Sequence, residues 1–305
     1  LIFIIGVSGG FFNCSAVGDT LSLCFLSDTQ EPIFFETLYL PYNNNSHARR
    51  LIFDNIIKES PNSVFHLGDL VGIGFLQSEW DDIDNFVNSL RSRKINFYPI
   101  PGNHEYLLFP SQGISLFRSK FPLADIHGYS KEIGNTAIVL FNSNFAELTE
   151  GEKNGELRWY IKTLQDYEAD PKIEFIIVGC HHSPFTNSKI VSPYEGDPMM
   201  KKYLKAFYQA SKCRLFVGGH AHTYEHFIVN NKDFLVIGGG GGLQHPLYTG
   251  KELKYNDLIK IPSEQRLFHY ITLKIYEKSL EVDLNMVTND FKGIKTSPQF
   301  TLHTP

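Results

Sequence analysis

Five short segments carry the residue types that bind metal ions, and each follows an apolar run of the kind that forms a buried strand. They are Asp28-Thr29-Gln30 after LSLCFLS, Gly68-Asp69 after SVFHL, and Gly102-Asn103-His104-Glu105 after INFYPIP. His181-His182 ends EFIIVGC, and Gly219-His220-Ala221-His222 follows CRLFVG. Carboxylate, amide and imidazole donors in one set suit divalent cations. A single carboxylate, with two oxygens, can hold two cations about 3.5–4 Å apart. Paired histidines such as His220 and His222 are unusual without a metal. On an extended strand they would share one face.

The elements that position these residues alternate. The pattern predicts strands over 21–27, 63–67 and 95–100 interleaved with helices near 46–59 and 77–92. An irregular stretch over 106–126 leads to strands near 127–133 and 136–141. Helices near 152–168 and 197–211 precede strands at 173–179 and 213–217. Strands near 225–229, 233–237, 267–275 and 279–286 close the order. Strand–helix alternation followed by consecutive strands implies an α/β fold, a four-layer α/β/β/α sandwich of two mixed sheets flanked by helices. Open sheets of this kind gather ligand sites at the carboxyl edge of their strands. Gly238 to Gly242 follow a strand and open no helix, so they are expected to permit close backbone packing rather than to cradle phosphate.

The 305 residues carry a net charge of -5, which argues against a broad nucleic-acid footprint. It leaves a phosphate ester open, because bound cations reverse the sign inside a site. The four cysteines, Cys14, Cys24, Cys180 and Cys213, form no C-x-x-C pair, so neither a zinc ribbon nor a thioredoxin-type site is supported. No linker divides residues 21–290, which are taken as one domain, with 1–20 as a signal or lipoprotein-type segment and 291–305 as a tail. The uncharged run at residues 1–12 suits an exported protein, and Phe11-Phe12-Asn13-Cys14 loosely resembles a lipoprotein cleavage site. On that reading Cys14 tethers the protein to a membrane.

The ordered motifs resemble those of the calcineurin-like metallophosphoesterase superfamily, including its purple acid phosphatase branch. The resemblance implies that Asp28, Gln30, Asp69 and His222 hold one metal, and Asp69, Asn103, His181 and His220 the other. The metals would be manganese, iron or zinc. A hydroxide bridging them would attack phosphorus, with Asp69 and His104 as the catalytic residues and His104 serving the leaving oxygen. Glu105 is expected to support His104 from behind, and His182 to be turned away by strand alternation. Two residues depart from the family pattern: Gln30 replaces a histidine, and Gly72 stands where an aspartate or tyrosine is usual. Without that tyrosine, the coloured ferric centre of the purple enzymes is not implied.

The activity implied is hydrolysis of a small-molecule phosphate monoester. A small-substrate phosphodiesterase and a weakened homologue acting as a metal- or phosphate-binding surface module stand as alternatives. His66 is expected to be a satisfied core histidine, His245 a loop residue within possible reach of the site, and Arg49 and Arg50 solvated.

Overall fold

The computed structural model describes residues 21–260 and 263–305. Residues 1–20, expected to form a signal or lipoprotein-type segment with Cys14 as its tether, therefore lie outside the described residues. Among those described, no helix is long and apolar enough to cross a membrane.

The chain runs β1 (Leu21–Leu26), α1 (Asn45–Glu59), β2 (Ser63–His66), α2 (Asp81–Ser92), β3 (Asn96–Pro99), α3 (Asn103–Tyr106) and α4 (Pro110–Lys120). It continues β4 (Tyr129–Ile133), β5 (Thr136–Leu140), α5 (Glu150–Ala169), β6 (Phe175–His182), α6 (Pro198–Gln209), β7 (Cys213–Gly219), β8 (Tyr224–Val229) and β9 (Lys232–Ile237). The last strands are β10 (His269–Ile275), β11 (Ser279–Val287) and β12 (Ile294–His303).

Two six-stranded sheets result, in the orders β12-β11-β10-β1-β2-β3 and β4-β5-β6-β7-β9-β8. In the first, β1, β2 and β3 are parallel, while β10 to β12 run antiparallel. In the second, β5, β6, β7 and β9 are parallel, with antiparallel edges.

The apolar runs are continuous because both faces of each central strand are covered. Leu23 and Phe25 of β1 meet Ile177 of β6 and Leu215 of β7 between the sheets. Cys24 and Leu26 point the other way, into a layer shared with Ile52 of α1 and Phe86 of α2. Ile176 and Val178 likewise face outward to Tyr160 of α5 and Tyr203 of α6. These three cores are the seams of the four-layer sandwich. Cys24, Cys180 and Cys213 are buried free thiols.

Three expectations require correction. Residues 291–305 are not a loose tail, because β12 pairs along all of β11. Its ladder shifts register between Val282 and Asp283, opposite Phe300 and Pro298, which lets an edge strand absorb a proline. The stretch 106–126 contains α4, which opens on Pro110, a residue pre-set for the first helical turn. Arg49 is buried rather than solvated. It pairs with Glu31 at 2.6 Å and Asp82 at 2.5 Å, and donates to the Thr29 carbonyl at 3.1 Å.

Candidate metal centre

All five segments meet at one edge, where β1, β2 and β3 of one sheet and β6 and β7 of the other end side by side. The chain must turn sharply there. Asp28, Asp69 and His220 hold φ of 59, 53 and 66°, a left-handed conformation that non-glycine residues adopt at a cost. The strain is supported by bonds that the turns create. The Asp28 N–H donates to the Gly68 carbonyl at 3.0 Å, and Thr29 to Asp69 at 2.9 Å. The His220 N–H donates to both Asp28 carboxylate oxygens, at 3.1 and 3.0 Å.

Glu105 organises the neighbouring turn. Its fully buried carboxylate accepts from the N–H groups of Asp69, Leu70, Val71 and Gly102 at 2.6–3.3 Å. It thus fixes the backbone carrying Asp69 rather than the ring of His104. Burial, and then Asp69, push its pKa up to about 7.

One donor atom each from Asp28, Asp69 and His181 lie within 4.8 Å of one another. His181 Nε2 stands 3.0 Å from Asn103 Oδ1 and 3.3 Å from Asp69 Oδ2. Its Nδ1 donates to the Leu67 carbonyl at 2.9 Å, so the inward Nε2 is the nitrogen with a lone pair to offer. His222 repeats this arrangement: Nδ1 bonds the Leu243 carbonyl at 2.7 Å, and Nε2 faces Asp28 Oδ1 at 3.4 Å. Gln30 joins them. Two carbonyls can only accept, so its amide nitrogen must face those of Asp28 and Asp69, both 3.2 Å away. The amide oxygen is then left 3.2 Å from His222 Nε2. Asp28, Gln30 and His222 therefore aim donor atoms into one space.

The electrostatics fit a cation. Burial penalises every charge here, yet the carboxylates stay ionised by leaning on imidazoles. His181 resists burial and is pushed up to about 9, chiefly by Asp69. Asp69 is held well below the carboxylate range despite burial, mainly by His181 and then His104. Asp28 is lowered against burial by His222 and His181. A dication satisfies the same carboxylates without needing the rings charged. His220 falls to about 3 through burial and the charge of His181, so it offers neutral nitrogen.

His182 does not turn away as expected. The ladder between β6 and β7 shifts register between Cys180 and His182, and this bulge delivers both histidines to the site. A ring nitrogen each from His181, His182 and His220 lie within 4.8 Å of one another. His182 Nδ1 is held at 2.8 Å by Ser143 Oγ, and its ring stacks on Tyr194 at 4.1 Å. Nor do His220 and His222 sit on an extended strand. β7 ends at Gly219, and tight turns at 219–223 aim the two rings.

Other residues cover the centre. His245 stacks on His222 at 4.3 Å, and its Nδ1 accepts the His222 N–H at 3.2 Å. The glycine run packs closely rather than cradling phosphate. Gly240 and Gly242 donate to the Ser27 and Asp28 carbonyls at 3.0 and 2.9 Å, and a Cβ on Gly242 would meet the His222 ring at 2.4 Å. His66 lies deeper, with Nε2 2.9 Å from Thr29 Oγ1 and burial lowering it to about 3.

His104 stands beside the donors. Its Nδ1 donates to the Gly72 carbonyl at 2.7 Å, and Nε2 looks across to Asp69 Oδ2 at 3.9 Å and Glu36 Oε1 at 3.7 Å. Burial would lower its pKa, but Asp69, the Gly72 bond and Glu36 together raise it above the ordinary imidazole value. At Gly72 a Cβ would come within 2.7 Å of the Glu31 carbonyl. The loop after Gln30 therefore fills the space where a side-chain ligand at position 72 would emerge. The proximity of Glu36 carries no sequence signal; only the folded loop shows it.

Comparison with known proteins accords with this geometry. A family model described as calcineurin-like phosphoesterase matches residues 21–224. Comparison with curated proteins finds no match. A purple acid phosphatase from yellow lupin seeds superposes with TM-score 0.65 at 17% identity, covering 93% of this chain and 54% of that one. This chain thus spans about half the length of the lupin enzyme. GAP50, described as the anchor in the inner membrane complex of Plasmodium, gives 0.67 at 11% identity, covering 94% and 89%. A dimetal phosphatase from Danio rerio gives 0.56 at 14%, covering 90% and 98%. At such identities the likeness speaks for the fold.

Proposed function

Because this chain belongs to the calcineurin-like phosphoesterase family, we propose that it hydrolyses small phosphate monoesters at a centre of two divalent cations. Asp28, Gln30, Asp69 and His222 would hold one cation, and Asp69, Asn103, His181 and His220 the other. Bound there, the cations supply Lewis acidity and a nucleophilic water at neutral pH. The observation that carries the reading is the placement of His104. It lies outside the donor set yet has Nε2 3.9 Å from Asp69 Oδ2, with the ring fixed by the Gly72 carbonyl.

The chain's own groups then have distinct tasks. Asp69 keeps the two halves of the donor set in register. His104, whose Nε2 faces the donor set, can pass a proton from that atom to the departing alkoxide. The Gly72 bond prevents the ring from turning that atom away. Asn103 presents an amide that can both bind a cation and orient a phosphoryl oxygen. A pure metal- or phosphate-binding module would have little use for a histidine so anchored.

The phosphodiester alternative draws on Glu36. Its carboxylate, 3.7 Å from His104 Nε2, adds negative charge near a dianionic monoester and repels a monoanionic diester less. The test uses metal-stripped protein re-supplied singly with manganese, zinc, iron or magnesium, assayed on p-nitrophenyl phosphate and its bis-ester. Turnover is expected to return with metal, to favour the monoester, and to fall about 10²–10⁴-fold in His104→Ala. Metal binding without turnover of either ester would transfer support to the binding module.

A further inference from the structure

The loop that fills the space over Gly72 also builds a rim that the proposed reaction leaves unexplained. Phe34, Phe35 and Leu38 are 71, 70 and 60% exposed, on the turn that carries Glu36 toward His104. Just beyond His104, Leu108 and Phe109 are 69 and 52% exposed. The Leu107 N–H donates to the His104 carbonyl at 3.3 Å, which ties this second segment to the turn that carries His104. Leu108 holds φ 64°, so a bulky residue bears backbone strain while burying little of itself. Glu36 is not swinging free, since its Oε2 accepts the Ile33 N–H at 2.9 Å while Oε1 faces His104.

Glu36 reaches the histidine assigned to the leaving oxygen, and these apolar residues flank Glu36 and His104 along the chain, so the alcohol part of the ester is the part that would pass over them. Apolar surface of this kind is costly to leave in water and gains from contact with a hydrocarbon or aromatic group. A fixed carboxylate at the base of the rim repels any second anionic group on the departing alcohol. We propose that the substrate class is phosphate esters of uncharged, apolar alcohols, with Phe34, Phe35, Leu38, Leu108 and Phe109 seating the leaving group and Glu36 rejecting anionic ones. This deepens the hydrolase reading above and rests on it.

The test measures phosphate release by the manganese-loaded full chain from ethyl, butyl and hexyl phosphate, kept below aggregation. A second pair compares 4-methylphenyl with 4-carboxyphenyl phosphate. kcat/KM is expected to rise at least about tenfold from ethyl to hexyl, as burial of several methylenes implies. The Phe34→Ser/Phe35→Ser double variant is expected to lose most of that ratio. In Glu36→Gln the carboxyphenyl-to-methylphenyl ratio is expected to rise several-fold over that of the unmodified protein. A flat alkyl series, a series equally steep in the double variant, or an unchanged aryl ratio in Glu36→Gln would overturn the proposal while leaving the hydrolase intact. No release from any ester, ethyl phosphate included, would instead contradict the hydrolase reading and take the inference with it.

Discussion

At the scale of single residues, the departures from the family pattern are as informative as the matches. Gln30 keeps a donor atom aimed beside His222 Nε2, but an amide oxygen binds soft, nitrogen-seeking cations less well than imidazole does. Gln30→His is therefore expected to tighten zinc at the first position by at least about tenfold, read by competition with a chromophoric chelator. Unchanged affinity would mean that position 30 does not coordinate. Glu105 offers a separate check on the scaffold. Its two oxygens accept from four backbone N–H groups, and an amide in their place turns two hydrogens toward donors. Glu105→Gln is expected to cost about 3 kcal/mol, seen as a lower urea midpoint. A variant of unaltered stability would show that the turn holds Asp69 by other means.

At the scale of elements, the strand-end motifs were legible because apolar runs, turn residues and donors coincide in the sequence. Asp28, Asp69, Asn103 and His104 follow directly from that pattern. What could not be read is local geometry that no residue type announces. The bulge that brings His182 inward depends on the neighbouring strand, and the turn after Gly219 on the carboxylate of Asp28. Arg49 resembles a solvated helix residue until Glu31 and Asp82 close over it. β12 hides behind Pro298 and a weak alternation.

Helix α5 carries its own test. Glu156 buries a carboxyl against the Asn142 N–H at 2.6 Å, while its Oε2 finds no hydrogen-bond partner among the described residues. Burial pushes its pKa from 4.5 up to about 9. Between those values the unfolded chain has released the proton and the folded one retains it, so stability falls as pH rises through that window. Glu156→Gln is expected to flatten that slope, with a gain in melting temperature at pH 8 that vanishes near pH 4.5. An equal effect at both pH values would contradict the assignment.

At the scale of the whole molecule, the donor set is divided between the two sheets. Asp28, Gln30, Asp69 and Asn103 leave β1, β2 and β3, whereas His181, His220 and His222 leave β6 and β7. The glycine run crosses the same seam through backbone bonds such as Gly240 to Ser27 at 3.0 Å, and its Gly241 and Gly242 carbonyls accept from the Asn45 side chain at 2.8 Å. A cation held by both halves therefore adds to the bonds that already cross this edge, such as His181 Nδ1 to the Leu67 carbonyl at 2.9 Å. Loading at a hundredfold excess over the dissociation constant is expected to add about 2.7 kcal/mol per site. Heating scans with and without chelator would register it, and identical transitions would place no metal at the seam.

The central claim is that hydrolysis needs a donor set completed by Asp69. The most direct measurement titrates manganese into metal-stripped protein while following p-nitrophenyl phosphate turnover, alongside Asp69→Asn. Turnover is expected to rise until two equivalents are bound and to stay absent from the variant at the same metal concentrations. Turnover in stripped protein, saturation at one equivalent, or full activity in Asp69→Asn would contradict the two-metal account.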